Sequence, residues 1–226
     1  MSVRYLGHCA FLFEDVTGKS LLIDPFGNGS SEYDNWFIKE FPPLEVDLVA
    51  VTHDHFDHNA VSALPDGTPL LNRAGRRQVG NTNITGVSDM HSGISGRNGM
   101  ENVIYVVEHE GVRYCHIGDN RHDIPSDALE RLGRVDVLMV TVDDSCHLLT
   151  FDQVDHLLHL LSPRVVIPMH YRIEGLSSVE VELEGPERWV RTQSPRRTMR
   201  RSSFRIDRRG MPYEREIWTI PAELAG

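Results

Sequence analysis

Seven consecutive residues, Thr52-His53-Asp54-His55-Phe56-Asp57-His58, crowd three imidazoles and the Asp57 carboxylate into one short stretch. Imidazole nitrogen and carboxylate oxygen suit zinc, manganese or iron, and no thiolate is needed to complete such a set. Alternate positions on an extended backbone let His53 and His55 converge on one metal. Asp57 and His58 then turn away and can serve a second metal beside the first. The stretch follows Asp47-Leu48-Val49-Ala50-Val51, an apolar run that reads as a buried strand, so the ligands would stand on the loop leaving a strand end.

Further pieces follow in order: Leu6-Gly7-His8, Leu22-Ile23-Asp24-Pro25-Phe26, Met90-His91-Ser92, His116-Ile117-Gly118-Asp119 and Ile167-Pro168-Met169-His170-Tyr171. With the His-x-His-x-Asp-His stretch they resemble metallo-β-lactamase-fold metal-dependent hydrolases over about residues 2 to 175. The similarity is to the small branch related to L-ascorbate-6-phosphate lactonase and N-acylphosphatidylethanolamine-hydrolysing phospholipase D. The resemblance implies an α/β fold, a four-layer αββα sandwich. It implies two divalent metal ions, zinc first, with manganese or iron as alternatives. His53, His55 and His91 would hold the first metal, Asp57, His58 and His170 the second, and Asp119 would bridge them. Asp57 and Asp119 would be the catalytic carboxylates, and a hydroxide between the metals would cleave an ester, lactone or phosphoester of a small molecule.

Other histidines divide by position. His8 is a candidate to line the pocket or orient a ligand, and Asp24 to accept a hydrogen bond from a ligand histidine. His122, three residues past Asp119, is a candidate proton donor. His116 reads as a core histidine, His156 and His159 fall on the polar face of a helix, and His109 and His147 have no assigned place. Cys146 beside His147 makes a poor nucleophile-base pair, because adjacent side chains on a strand point apart.

The elements that must position these groups follow from pattern. Residues 3–6, 10–14 and 20–24 read as a starting β-meander. The stretch 27–43, with Tyr33, Trp36, Phe37 and Phe41, reads as a loop with a short helix near the site mouth, its aromatics serving as packing anchors. A helix opening near His58 would place Asp57 at its favourable N-terminus. Weak strands near 69–71 and 82–87 precede a glycine-studded loop, 88–100, carrying His91. Asn102 to Glu108 and Val112 to Ile117 read as a hairpin, Ser126 as the cap of a helix 127–132, and 135–142 as a buried strand. Thr150 and Gln153 form a capping box before the amphipathic face Val154, Leu157, Leu158 and Leu161. Val165-Val166-Ile167 forms the strand that delivers His170.

Composition sets the outer bounds. A chain of 226 residues, 40% hydrophobic, can bury one substantial core, and residues 1–226 read as a single domain. No apolar run is long enough to span a membrane, and the N-terminus lacks the apolar core of a signal peptide. Three scattered cysteines argue against a disulfide framework and for the cytoplasm. A net charge of −10 disfavours nucleic acid as partner, which weighs against a phosphodiesterase or nuclease of the same fold. A di-iron oxidoreductase would carry a glutamate at the position of His55 and a flavin-binding partner domain. A metal-binding protein without turnover would not require the full ligand set.

Two segments stand apart. Asp143-Asp144-Ser145-Cys146-His147 replaces the Pro-, Gly-rich segment of the relatives; its carboxylates would repel anions, alter metal preference or simply be solvated. From Arg188 onward ten arginines face four acidic residues. That segment reads as solvated surface, as a homo-oligomer contact, or as a cluster (Arg196, Arg197, Arg200, Arg201) reaching the pocket to hold an anionic small-molecule substrate.

Overall fold

The computed structural model describes residues 1–31 and 34–224. In chain order its strands are β1 (Ser2–Gly7), β2 (Ala10–Glu14), β3 (Ser20–Ile23), β4 (Leu48–Ala50), β5 (Leu70–Leu71), β6 (Gly75–Val79), β7 (Thr82–Met90), β8 (Glu101–His109), β9 (Val112–His116), β10 (Val137–Thr141), β11 (Val165–Met169), β12 (Arg196–Thr198), β13 (Ser203–Phe204) and β14 (Glu216–Thr219). The helices are α1 (Gly93–Arg97), α2 (Ser126–Leu132), α3 (Phe151–Leu161) and α4 (Glu187–Thr192). They build two mixed sheets, ordered β13-β1-β2-β3-β4-β5 and β12-β14-β11-β10-β9-β8-β7-β6. An apolar core joins the sheets: Val3, Tyr5, Phe11, Phe13 and Ile23 from the first share one cluster with Ile84, Ile104, Tyr114 and Met139 from the second.

Strands β9, β10 and β11 are parallel neighbours, so α2 and α3 must cross between them, and the right-handed rule puts both helices on one face of the second sheet. Helix α3 buries Val154, Leu157, Leu158 and Leu161, one stripe of its surface. The outer face of the first sheet is covered differently. Leu12, Leu22 and Val49 pack there under Phe26, Phe37, Phe41, Leu64 and Leu176, contributed by long connecting segments. The architecture is thus an α/β sandwich whose outer layer on that side is mostly loop.

Several expectations need correcting. The helix expected to open at His58 is a three-residue 3-10 turn, Val61–Ala63, too short and too distant to act on Asp57 through its dipole. Residues 88–100 are not a loop throughout, since β7 runs on to Met90 and α1 follows. Strand β6 was not anticipated: it is exposed and arginine-bearing, and its order comes from pairing with β7 along its whole length. Pro125, not Ser126, occupies the N-cap of α2, and no side chain caps that end. Phe37 and Phe41 are buried anchors. Glu32 and Tyr33, within the stretch expected to hold a short helix, lie outside the described residues.

The Asp143-Asp144 segment is neither solvated nor directed at a substrate. Asp143 accepts from the backbone amides of Ser145 (2.8 Å) and His147 (3.2 Å), and Asp144 from those of Arg188 (2.8 Å) and Trp189 (3.3 Å). Asp144 therefore satisfies the first amides of α4, whose Trp189 is fully buried.

At α3 the Thr150 Oγ1 accepts from the Gln153 amide (3.3 Å) and Gln153 Oε1 from the Thr150 amide (2.9 Å). Thr150→Ala should cost about 1 kcal/mol, read as a lower denaturant midpoint at unchanged slope. An unaltered midpoint would mean that α3 is held by its apolar face alone.

Candidate metal centre

Strand direction explains why distant residues meet. Strands β1, β3 and β4 run one way in the first sheet, and β7, β9 and β11 run together in the second. Their carboxyl ends deliver His8, Asp24, the 52–58 loop, His91, Asp119 and His170 to one edge of the sandwich. Three of these residues, His8 (φ 50°), Asp24 (φ 50°) and His170 (φ 61°), hold left-handed backbone conformations that non-glycine residues rarely adopt. Strain of this kind gathers where a side chain must be aimed. Gly118 (φ 60°) precedes Asp119, and a Cβ there would lie 2.4 Å from Asn102 Oδ1 and 2.7 Å from Thr52 Cβ, so only glycine lets the Asp119 turn seat against the 52–58 loop.

Two four-residue groups result. Ligand atoms of His53, His55, His91 and Asp119 lie within 4.8 Å of one another, and so do those of His8, Asp57, His58 and His170. Asp119 reaches toward both: its Oδ2 is 3.5 Å from His91 Nε2 and 3.3 Å from His170 Nε2, and its Oδ1 is 3.4 Å from His58 Nε2. Asp57 Oδ2 stands 3.4 Å from both His58 Nε2 and His170 Nε2.

A surrounding layer fixes the rings. His58 Nδ1 donates to Asp24 Oδ2 at 2.8 Å. Asp24 also accepts from Thr52 N (2.8 Å) and Thr52 Oγ1 (2.7 Å), and Thr52 Oγ1 in turn accepts from His53 Nδ1 (3.0 Å). The His91 Nδ1 donates to the Ser92 carbonyl at 2.7 Å. In all three rings Nδ1 is tied outward, leaving Nε2 for the interior, which is how ligand histidines are usually oriented. His8 does double duty: its Nε2 donates to Asp57 Oδ2 (2.9 Å) and its carbonyl accepts the His170 amide (3.0 Å).

Inside this layer His58 Nε2, His91 Nε2 and Asp119 Oδ1 are buried without a hydrogen-bond partner. Each such group costs about 1–3 kcal/mol if left unanswered. Nitrogen and carboxylate donors converging at these spacings fit divalent cations, which would answer all three. Without a cation the cluster balances charge by protons. Burial opposes a charged His170, yet Asp119 and Asp57 hold its pKa up to about 9. Burial likewise opposes ionised Asp57 and Asp119, but the facing histidines keep both well below the carboxylate range. Burial pushes His53 down to about 3 and His8 down to about 4, so both rings are neutral and available as donors to a metal or as hydrogen-bond partners.

Residues not foreseen also border the centre. Trp36, half-buried rather than a core anchor, lies edge-to-face with both His8 and His170, ring centroids 6.1 Å apart in each pair, and His147 stacks on His170 with centroids 6.1 Å apart. No local spacing marks either residue; only the fold brings them here. A cavity of about 570 Å³ opens beside His91, with Arg97, Arg121, His122 and Gln153 in its wall. His116 is a core residue, with Nε2 donating to the Cys9 carbonyl at 2.8 Å. The arginine cluster is used elsewhere: Arg196 donates to the Gln193 carbonyl, and Arg197 pairs with Glu216 (3.3 Å) and lies over Trp218, on the edge strand β12. Arg200 and Arg201 are exposed.

Comparison with known proteins gives three findings. A β-lactamase superfamily domain model matches residues 2–170. A UPF0173 metal-dependent hydrolase of Thermococcus kodakarensis is 30% identical over 202 residues, 76% of this chain and 84% of the relative, and one of Thermococcus onnurineus is 29% identical over 196 residues, with the same coverage. Among solved structures, a Thermotoga maritima protein of the metallo-β-lactamase superfamily superposes with a TM-score of 0.74 at 24% identity, covering 98% of this chain and 99% of the other.

Proposed function

The chain belongs to the UPF0173 metal-dependent hydrolase family of the metallo-β-lactamase superfamily, and from that premise we propose a hydrolase of small-molecule esters, lactones or phosphoesters with two cation sites. The observation that carries the reading is the trio of buried, unpartnered atoms, His58 Nε2, His91 Nε2 and Asp119 Oδ1, at the meeting of two four-residue groups. His53, His55 and His91 would hold one cation, Asp57, His58 and His170 the other, and Asp119 both. Cations at such a pair of sites, zinc first, with manganese or iron as alternatives, supply hydroxide near neutral pH and stabilise charge developing on the attacked carbonyl or phosphoryl oxygen.

The chain's own groups do the rest. Asp57 accepts the hydrogen bond of the attacking water and aims it, while His8 fixes the Asp57 carboxylate. Asp24 and Thr52 hold His58 and His53 in the tautomer that keeps Nε2 inward. The cavity beside His91 would receive the substrate, and His122 in its wall would protonate a leaving oxygen. Arg121 is committed to Asp89, at 3.0 and 2.8 Å, which leaves Arg97 as the cation for an anionic substituent. Three free cysteines suit the reducing cytoplasm.

Elemental analysis after mild metal loading tests the reading, with two ions per chain expected and one in His170→Ala. A stoichiometry that never exceeds one, unchanged by His170→Ala, would remove the dinuclear centre.

A further inference from the structure

We propose that Cys9 supplies a sulfur ligand to this centre, on the side of His58 and Asp119. The inference rests on the metal-binding reading above and goes beyond its nitrogen-oxygen donor set. Cys9 stands in the turn between β1 and β2, directly after His8, and is fully buried. One ligand atom from each of Cys9, His58 and Asp119 lies within 4.8 Å of the other two. Of those partners, His58 Nε2 and Asp119 Oδ1 are 3.4 Å apart, and both are buried with no hydrogen bond. The main chain at Cys9 is fixed beside the centre by the bond from His116 Nε2 to its carbonyl, 2.8 Å. A buried thiol therefore stands beside two residues that each carry an orphaned ligand atom.

Sulfur changes what the centre selects. Imidazole and carboxylate accept zinc, manganese and iron alike, whereas a thiolate favours the softer ions, zinc, cobalt(II) and cadmium, over manganese and magnesium. Ligation forms one sulfur–metal bond and breaks the S–H bond, with the proton leaving to solvent. Cys9 is then the residue that biases a shared ligand set toward zinc. A purely packing cysteine would fill the same volume in the sheet-to-sheet core without touching a cation.

Cobalt(II) distinguishes the two. Metal-free full-length protein loaded with cobalt(II) without oxygen should show visible d–d bands from the imidazole-carboxylate sites. It should also show near-ultraviolet thiolate-to-cobalt charge transfer. That second absorption should persist in Cys146→Ser and vanish in Cys9→Ser and Cys9→Ala, with the d–d bands retained. The preference for zinc over manganese should fall about tenfold in both Cys9 variants. Wild-type protein with d–d bands and no charge transfer would refute the sulfur ligand while leaving the metal centre standing, and needs no variant to fold. Charge transfer surviving in Cys9→Ser would refute it equally. Wild-type protein that takes up no cobalt would overturn the metal centre and the sulfur ligand together.

Discussion

Asp57→Asn should lower kcat by at least about 10²-fold while the protein stays folded. The substitution keeps the shape of the side chain and an oxygen to accept from His8, 2.9 Å away in the native protein. It removes the negative charge that faces His58 and His170, each at 3.4 Å. In the proposed mechanism that charge holds a cation and accepts a hydrogen bond from the attacking water, so loss should fall on kcat rather than on KM. A far-ultraviolet spectrum and melting curve close to wild type would tie the loss to chemistry. An Asp57→Asn enzyme with near-normal kcat would take this carboxylate out of the mechanism.

Asp24→Ala should be the most destabilising single change near the site, costing about 3–5 kcal/mol. Asp24 is buried, sits at a left-handed turn, and accepts from Thr52 N, Thr52 Oγ1 and His58 Nδ1 at 2.7–2.8 Å. Alanine would leave a backbone amide and a ring N–H enclosed without partners, and would free His58 and His53 to turn. Denaturant unfolding in the presence of chelator reads the structural cost apart from metal. Asp24→Asn, which keeps acceptors for Thr52 but not the charge for His58, should fall between the two. A loss below about 1 kcal/mol for the alanine variant would show that the surroundings relax around the missing carboxylate.

What the sequence disclosed of this site depended on whether the signal was local. The candidate ligands at 53–58 were legible because they are near neighbours after an apolar run. The capping box and apolar stripe of α3 were legible for the same reason, being set by fixed spacing. Trp36 and His147 were not, since their place beside His170 exists only after the segments around each of them have folded over it. Strand β6, Gly-Arg-Arg-Gln-Val, has no apolar alternation and takes its shape from β7. The adjacent Asp143 and Asp144 looked like spare charge in one dimension; in three they are acceptors for the amides of a turn and of α4. Strand β14 did carry a signal, the run Ile217-Trp218-Thr219-Ile220, masked by the arginines before it.

The closing segment of the chain divides itself between the sheets: β13 pairs with β1, Val3 opposite Phe204, while β14 lies against β11 and carries β12 on its far side. During synthesis β1 leaves the ribosome long before β13 exists, and β11 waits for β14. Until then both sheets present open edges, rows of unpaired amides and carbonyls able to recruit another chain. Pairing elements so far apart in sequence also makes ring closure entropically slow. Arg196 and Arg197 lie on β12, the outer edge strand of the completed second sheet, where charge of one sign disfavours strand-to-strand joining of two molecules. The segment beyond the candidate ligands thus ties the two sheets together through one stretch of chain.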